Sequence, residues 1–338
     1  MVGSSRAVIR PFAGSLAEAE GVLAVERATF DESPYTPEQV QKMLVGGPQY
    51  AWLALQSHRA GMSTAPPSAP PPAVVGDGGE GAVVGFVIAF ATGGLHGQCW
   101  EMDLLAVHPE WRGRGLATRL IRAAAAYGAH VAPRTRSAVA VRNGASARAF
   151  SRAGYRLLPE VCKLLICRTA GLDPRPGSSQ DVHVREAPCL AAAAAWLPDG
   201  LRRSAFLTAM ASKPKAATAL SAASDQPGLV LLLAERNGHP AGYAELLEVQ
   251  TLLYRGVWIE SLVAPARAAR EALLHYAVNR TIDAGLDEIG AMVREGNWPL
   301  HESLMTRGFR SLGDFCWLTA HLPLPGLAGA RGAVPHTT

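Results

Sequence analysis

Three landmarks of this chain occur twice, in the same order and at nearly one spacing, and this repetition constrains the fold more than any other feature. Asn143 stands eleven residues before Gly154-Tyr155, and Asn297 stands eleven before Gly308-Phe309, 154 residues further on. Upstream, Leu105-Ala-Val-His-Pro109 is echoed by Ser261-Leu-Val-Ala-Pro265, with the prolines 156 residues apart. One match of this kind arises by chance, whereas three in order imply two copies of one structural unit. A length of 338 residues also exceeds one average core.

Each copy reads as an α+β (mixed α/β) unit. In the first, the extended runs Val8–Arg10, Tyr50–Gln56, Val83–Ala91 and Trp100–Val107 precede a helix over about Gly115–Gly128, a strand over Ser137–Val141, a helix over Ala145–Ala153 and strand material through Cys167. The stretch 61–81 holds Pro66, Pro67, Pro70, Pro71 and Pro72 and a Gly-rich end, and reads as a long loop within the first domain. Turn residues without periodicity fill 170–180, which is the expected linker. The expected layout is therefore a first domain at 1–169, a second at 181–322, and a Pro/Gly/Ala-rich flexible tail at 323–338.

Composition narrows the function classes. The net charge of +4 comes from scattered arginines rather than from Lys/Arg runs, which argues against nucleic acid and membrane surfaces as partners and suits a small anionic ligand. Five cysteines fit no zinc spacing, so no metal site is expected and reduced thiols are. No basic leader with an apolar run opens the chain, and no run reaches the ~18 residues of a membrane span, so a soluble cytoplasmic protein is expected.

The chemistry-bearing segment runs from Asp103 to Ile121: a strand, a turn at Pro109, then Arg112-Gly113-Arg114-Gly115-Leu116-Ala117 opening a helix. The first amides of a helix lack internal acceptors, the helix dipole is positive there, and glycines let backbone approach an anion closely. A phosphate site follows. Asn143, placed before Gly144-Ala-Ser, reads as a helix N-cap.

Val107-x-Pro109-x-x-Arg112-Gly113-x-Gly115-x-Ala117, followed by Asn143 and Gly154-Tyr155, resembles the GNAT superfamily of acyl-CoA-dependent N-acetyltransferases across roughly residues 83–167. The resemblance implies two tandem GNAT-like domains, each a splayed mixed sheet flanked by helices, with acetyl-CoA as cofactor and an amine as acceptor; a small-molecule amine is the leading expectation, a protein terminus or lysine stays open, and there is room for a homodimer. Carried over residue by residue, the pyrophosphate loop is Arg112, Gly113, Arg114, Gly115, Leu116 and Ala117, with Thr118 next. The pantetheine arm falls on the backbone of Leu105, Ala106 and Val107, and Asn143, Ser146 and Phe150 complete the cofactor set.

Amine acetylation needs a base for the amine proton and an acid for the leaving thiolate. The family often uses a tyrosine seven residues after the asparagine as that acid, and this chain has Phe150 there. Glu101 and Asp103 lie two apart on one strand and are expected on the same side, where the resemblance lets either act as a base through water, with Glu101 the first candidate. In the second copy Ala266-Arg-Ala-Ala-Arg-Glu-Ala-Leu273 stands in place of the Gly-rich loop, keeping a helix but losing the glycines, so a degenerate, structural half is expected, with phosphate binding by the charge of Arg267 or Arg270 as the alternative; Leu304 holds the tyrosine position. Glu260, in Glu260-Ser-Leu-Val263, resembles an acidic strand position in the C-terminal halves of tandem GNAT proteins and is the second candidate base.

Overall fold

The computed structural model describes residues 6–30, 35–47, 49–57, 81–95, 97–170, 172, 181–198, 201, 228–252 and 254–324. The loop expected at 61–81 (except Gly81), the linker at 170–180 (except Ala170 and Leu172) and the tail beyond Leu324 lie outside the described residues.

The chain forms two compact units. Unit 1 comprises Met1–Thr92, Cys99–Leu158 and Trp317–Thr338, and unit 2 comprises Gly93–Gln98 and Pro159–Cys316. This composition differs from contiguous halves at 1–169 and 181–322. In the first copy the last strand, β6 (Arg156–Arg168), starts in unit 1 and runs on into unit 2, while the final strand of the chain, β12 (Arg310–His321), starts in unit 2 and ends in unit 1. The two copies thus exchange their last strands. Both strands have the same place in the repeat, so pattern alone assigns each to its own copy.

Unit 1 is built in the order β1 (Arg6–Pro11), α1 (Leu16–Arg27), α2 (Pro37–Gly46), β2 (Gln49–Ser57), β3 (Val83–Thr92), β4 (Cys99–Val107), α3 (Leu116–Gly128), β5 (Arg134–Ala140) and α4 (Gly144–Ala153). Strands β1 to β4 pair as an antiparallel series, β5 joins β4 in parallel, and the end of β12 follows β5. Local sequence sets the helix starts: Ser15 accepts from the Glu18 amide at α1, and Thr36 with Gln39 forms a reciprocal cap at α2, where Pro37 occupies the first turn. β3 is apolar along nearly its whole length because α1 and α3 both pack on it.

The join between α3 and β4 is tight. Gly128, at the end of α3, lies against the indole of the fully buried Trp100, and a Cβ there would penetrate that ring. Around Trp100 the rings of Tyr50, Trp52 and Tyr127 stack with centroids 4.9 to 6.3 Å apart. Alanine in a helix ordinarily gains up to about 1 kcal/mol over glycine, but overpacking a closed core costs about 1–3 kcal/mol. Gly128→Ala should therefore lower the urea midpoint of the full chain, and a rise would show that the Trp100 ring can yield.

Unit 2 contains β7 (Val182–Glu186), α5 (Leu190–Trp196), β8 (Leu229–Arg236), β9 (His239–Gln250), β10 (Arg255–Val263), α6 (Arg267–Asp283), β11 (Glu288–Arg294) and α7 (Trp298–Thr306), with most of β6 and the start of β12. Its strands β7 to β10 are antiparallel, β10 and β11 are parallel, and β11 pairs antiparallel with β6 from Glu288↔Arg168 to Arg294↔Cys162. The copies thus share strand order, a parallel join and a helix on each side of it. No helix among the described residues is long and apolar enough to cross a membrane.

Candidate active site

β4 and β5 pair at Trp100↔Thr135 and Glu101↔Arg136, and the register between them ends there. From Met102 to Val107, β4 keeps β3 as its register partner, so the two parallel strands open as a fork whose closed end is the Glu101–Arg136 rung. On the β3 side Ile88 pairs with Leu104 and Ala89 with Met102, which leaves Asp103 as an extra residue in the strand. Such a bulge interrupts the alternation of side chains. The sequence expectation that Glu101 and Asp103 share one side assumed an unbroken period of two; instead Glu101 is buried and Asp103 exposed.

Beyond the fork, Pro109–Trp111 makes a short 3-10 turn, and Arg112 follows with its Nε on the Val107 carbonyl at 3.2 Å. Gly113 and Gly115 then take φ of +78° and +73°, a region that favours glycine, and Gly115 caps α3. A Cβ built on either glycine meets no protein atom within 4 Å. These glycines are therefore required by backbone conformation and by the space in front of the helix start. The amides of Leu116, Ala117 and Thr118 precede the first helical bond, Arg119 N–H to Gly115 O, so they point out of the helix as donors. Arg114 stacks on Trp111 at 4.5 Å and stays exposed, adding positive charge beside them. The donor set suits a pyrophosphate.

The remaining cofactor candidates gather at the neighbouring helix. Asn143 Oδ1 accepts from the Ser146 amide at 3.1 Å as the N-cap of α4, and Thr118 Oγ1 donates to the Ala149 carbonyl at 3.3 Å, joining α3 to α4. Leu105, Ala106 and Val107 line the open arm of β4. Phe150 is 2% exposed, edge-on to Tyr155 at 5.0 Å. The Tyr155 hydroxyl, which sequence reasoning passed over, meets the Thr135 hydroxyl at 2.8 Å, and burial pushes its ionisation well above the ordinary phenol range.

Glu101 accepts a hydrogen bond and ion pair from Arg136 Nε. Arg136 is itself buried, and its guanidinium lies 4.8 Å from the centre of the Trp317 ring. Sequence reasoning missed both residues. Arg136 alternates with Arg134 along a strand and looks solvated, and Trp317 lies in the other copy of the repeat.

Unit 2 repeats the geometry up to the phosphate loop. The β10–β11 register ends at Ile259↔Ala291, and Glu260 is the extra residue opposite β9, the counterpart of Asp103. Next to it Ser261 donates to the buried Glu245, whose other oxygen takes the Leu95 amide at 2.6 Å. The loop itself is replaced: α6 has 17 residues against 13 in α3, so the segment from Arg267 winds into a further helical turn. Alanines in place of glycines favour that helix. The expectation that Arg270 could meet a phosphate is overturned, since its buried guanidinium donates to Ala264 O at 2.9 Å, Pro265 O at 3.4 Å and Ser303 Oγ at 3.1 Å. Asn297 still caps α7, accepting from Leu300 at 3.4 Å, while Leu304 is fully buried. His275, between Asn279 and Arg307, is depressed by burial and by that guanidinium.

Among curated protein sequences none matches the chain. Among solved structures it resembles a GCN5-related N-acetyltransferase from Sphaerobacter thermophilus, with TM-score 0.54 and 18% identity over 94% of this chain and 96% of that one. It also resembles the glucosamine N-acetyltransferase region of a fungal multi-domain β-N-acetylglucosaminidase, with TM-score 0.54 and 14% identity over 94% of this chain and 38% of that one. A tandem GNAT protein from the clavulanic acid biosynthesis pathway aligns over 97% of this chain and all of that one, with TM-score 0.49 and 14% identity. At these identities the first two likenesses establish the fold. Residues 38–155, which include the fork, the glycine loop and the Asn143 cap, match the model of the acetyltransferase (GNAT) family.

Proposed function

We propose that the protein is an acetyl-CoA-dependent N-acetyltransferase acting on a small-molecule amine, with acetyl-CoA held in unit 1. The observation that carries this reading is the opening of β4 from β5 beyond Glu101↔Arg136, leading to the Gly113–Gly115 turn and the amides of α3. When bound, acetyl-CoA supplies an acetyl group on a thioester. The amides of Leu116, Ala117 and Thr118, with Arg112 and Arg114, would take the pyrophosphate, and the open edge of Leu105 to Val107 would pair with the amide-bearing arm. The bulge at Asp103 turns the strand where the reacting group would end. Glu101, one rung deeper, is the group that would take the proton from the attacking amine, directly or through a water. Phe150 has no proton to give, so the departing sulfur would be protonated from solvent.

A second reading is favoured by the same Phe150 and by the engagement of Glu101 with Arg136. In it acetyl-CoA is a structural or sensory ligand of unit 1, and unit 2 transfers acyl groups or binds a partner, with Glu260 as its base. Native mass spectrometry should find one acetyl-CoA per chain under the first reading, because α6 and Arg270 occupy the loop position of unit 2; a second acyl-CoA per chain would be the donor that acyl transfer in unit 2 requires. Turnover with a panel of primary amines that includes an aminosugar separates the readings. Glu101→Gln should reduce kcat by about 100-fold or more, within the usual worth of a positioned base, and Glu260→Gln should leave it unchanged. The reverse pattern would move the chemistry to unit 2.

A further inference from the structure

The candidate base sits in a row that crosses three neighbouring strands of unit 1: Glu101 on β4, Arg136 on β5 and Trp317 at the end of β12. Arg136 is 3% exposed and Trp317 4% exposed, so the guanidinium lies between a carboxylate and an aromatic face with little access to water. A cation over an indole is attracted by the ring face, more strongly in such a desolvated place than at an exposed one. The strand that brings Trp317 is tied to the same part of β5, with Thr319 Oγ1 donating to Thr135 O at 3.0 Å and Leu322 N–H to Pro133 O at 2.9 Å.

The polar edge of Trp317 adds nothing to this contact. Its indole N–H is buried and has no acceptor among the described residues. Buried Trp N–H groups ordinarily find a partner, and an unsatisfied one is destabilising. An apolar side chain of similar bulk would avoid that cost, so the ring face over Arg136 is the feature that only an aromatic side chain supplies.

We infer that Trp317 is a positioning residue of the acetyltransferase site: it holds the Arg136 guanidinium against Glu101 and thereby fixes the carboxylate at the closed end of the fork. The last strand of the chain then serves the first copy of the repeat, and the exchange of strands has a functional consequence. The inference rests on the reading of Glu101 as the base in unit 1.

The test uses the full-length chain and three substitutions, Trp317→Leu, Trp317→Phe and Glu101→Gln. Trp317→Leu keeps an apolar side chain and removes the ring, and should lower kcat by about tenfold or more, since small misplacement of a reacting group costs up to about 100-fold. The KM for acetyl-CoA and its calorimetric Kd should stay within about twofold, because the glycine loop is untouched. Trp317→Phe, which keeps a ring face, should restore most of kcat. In the Glu101→Gln background Trp317→Leu should cause no further loss, the signature of a residue acting through another. Independently of turnover, the Arg136 Nε–H signal in 15N NMR, assigned by its disappearance in Arg136→Lys, should exchange slowly in the parent and in Trp317→Phe and faster in Trp317→Leu.

Independent, additive losses for Trp317→Leu and Glu101→Gln would overturn the inference, as would an unchanged Arg136 signal. If Trp317→Leu does not fold, the smaller loss in Trp317→Phe must likewise vanish in the Glu101→Gln background, and its persistence is the contrary result. Full turnover in Glu101→Gln alone would instead refute the underlying reading of unit 1, and the proposal would fall with it.

Discussion

Replacing Gly115 with valine should weaken acetyl-CoA binding by at least about 100-fold while leaving the protein folded. The backbone at this position has φ of +73°, where a β-branched residue is strained by about 1–3 kcal/mol. A Cβ there would meet no protein atom within 4 Å, so the fold has no steric objection beyond that strain. The same empty space is where an anion would stand before the amides of Leu116, Ala117 and Thr118. Two methyl groups in that space would hold a pyrophosphate out of hydrogen-bonding range. Each hydrogen bond to a charged group contributes about 1.5–3 kcal/mol, and the loss of two exceeds the 2.7 kcal/mol that corresponds to roughly 100-fold in Kd. Calorimetry with circular dichroism on the same samples checks both halves of the expectation. Gly115→Asn separates them further, because asparagine tolerates the left-handed region, so it should retain more affinity than valine. Unchanged affinity in Gly115→Val would place the phosphates elsewhere, and loss of cooperative unfolding would make the turn a structural element.

How far the sequence reaches is clearest at this loop. Glycine spacing ahead of an amphipathic run implies a tight turn opening a helix, and Gly113 and Gly115 take the positive φ that such a turn uses. Asn143 reads as a cap and is one, and its repeat counterpart Asn297 caps its own helix in the same way, each holding the third amide. What failed did so for stated reasons. Glu101 and Asp103 were placed on one side because strand periodicity is two, and a single inserted residue cancels that rule without leaving a mark in composition. The second segment reads as a helix that has lost the glycines, and it is helical from Arg267; what the pattern does not reveal is that Arg270 folds back onto Ala264 and Pro265. The exchange of β6 and β12 was illegible because a repeat gives its two last strands the same pattern. Partner choice depends on contacts distant in sequence, as between Thr135 and Thr319. Arg136 and Trp317 escaped notice for the same cause, since nothing local marks an arginine in a strand as the neighbour of a tryptophan 181 positions later.

A chain ending at Cys316 should therefore lose the tertiary structure of unit 1, although all of the family-matched segment, residues 38–155, is still present. The removed strand end buries Trp317, Leu318 and Leu324, which are 4%, 1% and 0% exposed. Truncating a buried Trp to Ala costs about 3–5 kcal/mol and a buried Leu about 2–5 kcal/mol. The bonds from Thr319 Oγ1 to Thr135 O and from Leu322 N–H to Pro133 O add about 1 kcal/mol each. The total, roughly 9–17 kcal/mol, matches or exceeds the 5–15 kcal/mol that a domain has to lose. β5 would also become an edge strand with an apolar flank, which favours association between chains. Amide exchange resolves the outcome by region: protection should disappear along β4 and β5 and persist in the unit 2 cluster around Leu232, Leu246, Leu273 and Ile289. Two graded controls bear on the mechanism, Trp317→Ala and Leu318→Ala, each expected to lower stability by its share without abolishing folding. A truncated chain that still protects β5 and binds acetyl-CoA with the affinity of the full chain would show that the first copy completes its sheet without the last strand.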